Sequence, residues 1–256
     1  MTRAIEKNNR AYVDGYDFSG YLSTFGQCGV AYDAPLIEAY SDAVKNALIG
    51  RGVMKCGPLN GFFAPAGAGA TGLHELTDSG QGTRNVLVAI GGLAAPAAGS
   101  PFFAWQFEQS SYQVANGTGA VAASLALGNA SYAGLKNYSL PWGLLLHANA
   151  AETAANTANN NVDNGASSVL GGIFVYHLLS SNGTVTLSVD DSANNSTWAA
   201  LSGATSGSID ATTTPASGMV ALSTSATVRR YLRWQLALGT ATTATFISGF
   251  IRPIAS

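Results

Sequence analysis

The chain has 256 residues, enough for one large β domain or two of ordinary size with a substantial core. Charged residues make up only 10% of it, against about 25% in average soluble domains, while the hydrophobic fraction of 47% is ordinary. A net charge of −2 with no basic run excludes the clustered phosphate contacts of specific nucleic-acid recognition, and no stretch approaches the ~20 uninterrupted apolar residues that span a bilayer.

Alanine, glycine, serine, threonine and asparagine stand where surface charge would usually be. A surface so poor in charge suits a protein covered by copies of itself. The start, Met1-Thr2-Arg3-Ala4-Ile5-Glu6-Lys7, lacks the apolar core of a secretory signal, so synthesis in a cytoplasm is expected. Cys28 and Cys56 are the only cysteines; they read as buried free thiols, because two in a chain this long make no disulfide framework.

Residues 1–9 read as a polar arm. Tyr12, Val13, Tyr16, Phe18 and Tyr21, punctuated by Asp14-Gly15 and Ser19-Gly20, predict two short strands or a hairpin over 10–22. A further strand is expected over 25–32. The stretch 33–63 is expected to organise the rest. Asp33 can cap free amides, Pro35 suits a first helical turn, and Leu36, Ile37, Tyr40, Val44, Ala47 and Leu48 recur at three- and four-residue spacing. These features predict an amphipathic helix over 35–48, ended by Gly50. Leu36, Tyr40 and Val44 are expected on the chain's own sheet. The polar side, with Glu38, Asp42 and Lys45, and Arg51 beyond it, is the candidate subunit interface. Residues 51–63, broken by Gly57, Pro58 and Gly61, predict a bent or bulged strand.

Small residues over 64–70 predict a loop, and 71–78 a single helical turn carrying His74 and Glu75. A buried strand is expected over 84–90 and a second small-residue loop over 91–101. Phe103, Trp105 and Phe107 alternate with Ala104, Gln106 and Glu108, which predicts a strand over 102–114. Asn116-Gly117 signals a hairpin returning over 120–127.

Composition changes near Ser139-Leu140-Pro141, and only nine charged residues follow. Two domains are therefore expected, 1–141 and 142–256. The first is mostly sheet with one substantial helix. The second has short apolar runs at 142–148, 173–179, 184–190, 197–201, 218–223, 227–238 and 243–252. Turn signals at Asn182-Gly183, Asn194-Asn195 and Gly239-Thr240 separate several of them, predicting an antiparallel sandwich, immunoglobulin-like or jelly-roll. Within 227–238, Val228, Arg230, Leu232, Trp234, Leu236 and Leu238 share one face.

The residues carry little chemistry. His74, His147 and His177 have no metal-ligand spacing, and Asp190-Asp191 beside Ser192 and Asn194 reads as a hydrated turn because the full oxygen-ligand pattern of a calcium loop is missing. Gly67 and Gly69 precede no Lys-Ser/Thr pair, so no phosphate cradle is expected. No catalytic residue, metal ligand or cofactor is predicted. Trp142, Trp198, Tyr231 and Trp234 are the aromatics a sugar-binding surface would use, and each is expected in the core instead.

Several motifs resemble those of the major tail, or tail tube, proteins of long-tailed bacteriophages. They are Val13-Asp14-Gly15-Tyr16-Asp17-Phe18-Ser19-Gly20-Tyr21, then Leu48-Ile49-Gly50-Arg51-Gly52-Val53-Met54-Lys55-Cys56-Gly57-Pro58-Leu59-Asn60-Gly61-Phe62-Phe63, and Phe107-Glu108-Gln109-Ser110-Ser111-Tyr112. Glu152-Thr153, Asp163-Asn164-Gly165-Ala166-Ser167-Ser168, Asn195-Ser196-Thr197-Trp198 and Val228-Arg229-Arg230-Tyr231-Leu232-Arg233 are similar to the β-sandwich many such proteins append. The resemblance implies a mainly β fold, a curved tail-tube-like sandwich or barrel with a flanking helix, and an outward-projecting second domain. It also implies homo-hexameric rings stacked into a hollow tube in the virion. Other phage tail proteins would be its partners and phage DNA would pass through without specific contacts. Membranes, cofactors and an active site have no part in it. The low charge departs from the acidic lumens typical of that family. Two other readings share parts of the pattern: a capsid decoration (cement) protein and a carbohydrate-binding adhesin module.

Overall fold

The computed structural model describes residues 6–32, 36–37, 46–47, 52–63, 73–78, 82–116, 121–129, 141–156 and 160–252, and over these the protein is mainly β. After a 3-10 turn, Glu6–Asn8, come β1 (Arg10–Val13), β2 (Tyr16–Asp17), β3 (Leu22–Phe25), β4 (Gly29–Tyr32), β5 (Leu36–Ile37), β6 (Asn46–Ala47), β7 (Gly52–Lys55) and β8 (Leu59–Phe62). The short helix α1 (Leu73–Thr77) precedes β9 (Thr83–Ala89), β10 (Pro101–Asn116) and β11 (Val121–Asn129). The remainder is β12 (Trp142–Glu152), β13 (Val162–Asp163), β14 (Ile173–Ser181), β15 (Thr184–Ser192), β16 (Ala199–Asp210), β17 (Ala216–Ala221), β18 (Tyr231–Leu238) and β19 (Ala244–Ile251).

Where the helix expected over 35–48 is described, at 36–37 and 46–47, it is strand instead. Its two described pieces, β5 and β6, pair antiparallel, Leu36 with Ala47 and Ile37 with Asn46. A helix of that length gains little by itself and depends on a sheet to cover its apolar stripe, and the β-branched Ile37 serves a strand as well as a helix. The rest of that segment, including Glu38, Asp42, Lys45 and Arg51, lies outside the described residues. The single bent strand expected over 51–63 is instead two strands in different sheets. β7 pairs with β4, and β8 pairs with β11 and β3, with the glycine at 57 (φ 112°) between them.

The organising element is β10. Its first residues pair with β12, residues 102–108 pair with β9, and residues 107–116 pair with β11. Through it runs an eleven-stranded sheet ordered β17-β14-β19-β12-β10-β11-β8-β3, with β1, β2 and β9 branching from β10. Phe102, Phe103, Ala104 and Trp105 are buried in succession, so the sequence alternation of aromatic and small residues here conceals a strand covered on both faces.

A second sheet, β13-β18-β15-β16, faces the β12–β14–β19 part of the first. Leu146, Phe174, Tyr176, Leu178, Phe246 and Phe250 meet Val185, Leu187, Val189, Leu232, Trp234 and Leu236 between the two sheets. The opposite face of the same strands carries Leu145, Ile173, Val175, Ile247 and Ile251 into a different core with Tyr12, Val86, Leu87, Val88 and Phe103. The strands β14 and β19 thus form a middle layer, which explains their near-continuous apolar runs. Gly249 is required there: a Cβ would lie 2.3 Å from the ring of the fully buried Phe102. The composition change near residue 141 falls at the start of β12, and both the sheet hydrogen bonding and the first core continue across it.

Most remaining elements lie where the sequence puts them: the β1–β2 hairpin, α1, β9, the β10–β11 hairpin, and β12, β14, β15, β17, β18 and β19. One strand is far longer than expected. β16 runs for 12 residues where 197–201 was predicted, because its Ser, Gly, Ala and Thr residues carry no apolar alternation. Gly203 and Gly207 there have φ of 83° and 67°, and the register against β15 slips twice. Such bulges twist an edge whose only charge is the terminal Asp210 away from strand addition.

Candidate functional site

The aromatics and histidines picked out in the sequence are scattered. Trp234 is buried against Phe246 and His147. The Arg233 guanidinium covers the Trp198 ring at 4.5 Å, and Arg230 sits 4.9 Å above Tyr231. Of the four aromatics expected in the core only Trp234 is buried there; Trp198 and Tyr231 are half-buried outside both cores, and Trp142, 41% exposed, lines a cleft of 360 Å³ with Pro101, Leu144, Asp163, Asn164 and Arg252. The polar groups of that cleft are engaged. Arg230 donates two hydrogen bonds to the Asp163 carboxylate, at 2.7 and 2.6 Å, which with the Gly165 amide holds that carboxyl down to about 2. Arg252 donates to the backbone oxygens of Asn164 and Ala166.

The acidic pair at the end of β15 is also taken up internally. Asp190 accepts hydrogen bonds from Arg233 and Gln235, and Asp191 accepts one from the Arg229 amide. Among the described residues no group of three or more His, Cys, Asp or Glu is placed to hold a metal ion. His147 stands opposite Ser248 in the β12–β19 register, a pairing with the residue types of a nucleophile and its base. Its two ring nitrogens, however, face the Phe246 carbonyl and the Glu152 carboxylate at 3.1 and 3.0 Å. Neither is aimed at the buried Ser248 hydroxyl.

A polar network joins the β1–β2 turn to the middle layer. Asp14, at φ 50°, accepts from Arg84 and from the Asn85 amide, Asn85 donates to Ser217, and Gln106 donates to Asn85. The Gly15 amide donates to Nδ1 of His177 at 3.0 Å. His177 is completely buried, and desolvation lowers its pKa from 6.5 to about 3, so it is neutral at physiological pH. Every group here serves to seat one part of the fold on another.

The remaining candidate is a surface. The tip of the β10–β11 hairpin, residues 113–116 of β10 and 121–122 of β11, extends past the core, and from 109 to 129 the sequence contains no charged residue. Val114 and Val121 are 45% and 38% exposed on one face of this hairpin, and on the neighbouring β8 Phe62 is 52% exposed on the other. The face with Val114 and Val121 continues through Ala123 into the buried Leu125 and Leu59. The four interface residues expected from the sequence lie outside the described residues, whereas this surface was not singled out. Its signal was the uninterrupted absence of charge over a predicted hairpin.

No protein-family model matches the chain, and no curated protein does. Among solved structures it is similar to the SPP1 Dit (gp 19.1) protein, whose structure is described as a paradigm of the hub adsorption apparatus in phages infecting Gram-positive bacteria. The identity is 8%, over 95% of this chain and 99% of that one, at a TM-score of 0.26. So low a score establishes neither a shared fold nor a shared function.

Proposed function

We propose that this chain is a structural virion protein, the major tail or tail tube subunit of a long-tailed bacteriophage, assembling into stacked six-membered rings through which DNA passes. The observation that carries this reading is the charge-free stretch 109–129 of the β10–β11 hairpin, with Val114 and Val121 exposed on one face of its tip and Phe62 of the neighbouring β8 exposed on the other. Exposed apolar sheet without interspersed charge is an aggregation hazard in a monomer and an interface in an assembly. The sequence motifs that resemble those of tail tube proteins suggest the form of the assembly. In this reading the sheet centred on β10 belongs to the tube wall, and the sandwich around β15 and β18, immunoglobulin-like or jelly-roll in type, projects outward. The role is structural, with no reaction assigned. Electron microscopy of the purified full chain tests it: six-membered rings or hollow tubes are expected. Trimers, or a monomer that binds only to preassembled shells, would assign a capsid decoration role instead.

The adhesin reading retains one specific support, the exposed Trp142 beside Asp163 and Asn164. A glycan array probed with the full chain and with Trp142→Ala decides it: binding that disappears with the indole favours a sugar platform, and no binding removes it.

A further inference from the structure

The β4–β7 ribbon forms a two-stranded sheet of its own, held by four residue pairs from Gly29 with Lys55 to Tyr32 with Gly52. A ribbon that small is marginal without further support. One step beyond Gly29 and Lys55 in the same register stand Cys28 and Cys56, the only cysteines of the chain. Both are free thiols, and their sulfurs lie 2.6 Å apart. Cross-strand neighbours at the end of an antiparallel pair are close enough to be bridged without moving the backbone far. The two differ in surroundings. Cys56 is 3% exposed and Cys28 is half-buried. A hydrogen bond from Cys56, and another from the Gly57 backbone, hold the Cys28 thiol below its ordinary value, while that same bond and burial push Cys56 up.

We propose that Cys28 and Cys56 are a redox pair that closes into a cross-strand disulfide when the chain meets a low-molecular-weight disulfide oxidant. The Cys28 thiolate attacks one sulfur of the oxidant and expels a small thiolate, leaving a mixed disulfide on Cys28. Cys56 gives up its proton to a departing thiolate and attacks the Cys28 sulfur, expelling the second small thiol. Two cysteine thiols become one S–S bond and the oxidant is reduced to two thiols. The bridge closes a loop from 28 to 56, the stretch of sequence that contains Glu38, Asp42, Lys45 and Arg51. A subunit made reduced in a cytoplasm and later released into an oxidising medium would thereby gain a covalent clasp. That consequence rests on the function proposed above; the sulfur chemistry does not, and it is measured on the dissociated chain.

The test is incubation of the native full-length protein with oxidised glutathione, followed by intact mass, non-reducing peptide mapping and thermal melting. The expected result is a mass lower by two hydrogens with no glutathione retained, a peptide linking Cys28 to Cys56, and a higher melting temperature that dithiothreitol reverses. Two free thiols that persist while denatured protein oxidises, or a separate glutathione adduct on each cysteine, would overturn it. In Cys56→Ser a single stable adduct on Cys28 is expected, and failure to form one contradicts entry through Cys28.

Discussion

The middle layer and the β10–β11 hairpin are built from the same kind of sequence and end in opposite surroundings. β14 and β19 carry one run of buried residues each, covered on one face by the sheet containing β15 and β18 and on the other by the core containing Tyr12 and Phe103. The outer part of β10 and its partner β11 are as poor in charge, yet Val114 and Val121 stay exposed. In the first region the missing charge is accounted for within the chain by packing. In the second the chain offers no cover among the described residues, and a neighbouring copy is the simplest source of it.

If the middle layer is the true centre, the largest effect follows from cutting the chain after residue 141. The fragment loses β12 and β19, which cover Phe102 and Phe103, and is expected to lack cooperative unfolding by circular dichroism. A fragment 1–141 with a sharp transition would show that the two halves fold apart. Next in size, Phe246→Ala removes a fully buried ring from between the sheets and should cost about 3–5 kcal/mol in denaturant unfolding. The contrast is sharpened by Val121→Ala on the dissociated chain, where a change within about 0.5 kcal/mol is expected.

His177 tests the seam between the layers through pH. Its folded pKa, about 3, lies below the ordinary 6.5, so the unfolded chain binds the proton first. Its contribution is complete above about pH 6.5 and is lost as pH falls from there towards 3, with a slope of up to ~1.4 kcal/mol per unit. His177→Gln keeps an acceptor for the Gly15 amide and should flatten that part of the stability profile. The smallest expected effect is at the rim. Arg230→Ala should leave the melting temperature unchanged within error, while the Asp163 carboxyl, read by NMR titration, returns to the ordinary carboxylate range.

Much of this fold was legible in the sequence. Asn116-Gly117 marked the hairpin, Asp14-Gly15 the first turn, and the alternation of Leu232, Trp234 and Leu236 gave the inner face of β18. The ends of the helix expected over 35–48 are strand, because a three- and four-residue spacing of apolar residues fits a helical stripe without saying whether a sheet exists to receive it. β16 was underestimated for the converse reason: an edge strand of Ser, Gly, Ala and Thr has no apolar period to detect. Pairing through β10 depends on contacts distant in sequence, which no local pattern encodes. The candidate surface was half visible. The absence of charge over 109–129 could be read directly, but only the structure shows that the hairpin outruns its core.

The central claim is that this hairpin is where copies of the chain meet. Light scattering on the full chain and on Val121→Glu, at matched concentrations, measures it directly. The account predicts an assembled wild type of six chains or a multiple of six, and a folded Val121→Glu protein at monomer mass. A wild type that remains monomeric, or a Val121→Glu protein that assembles as well as wild type, would contradict it.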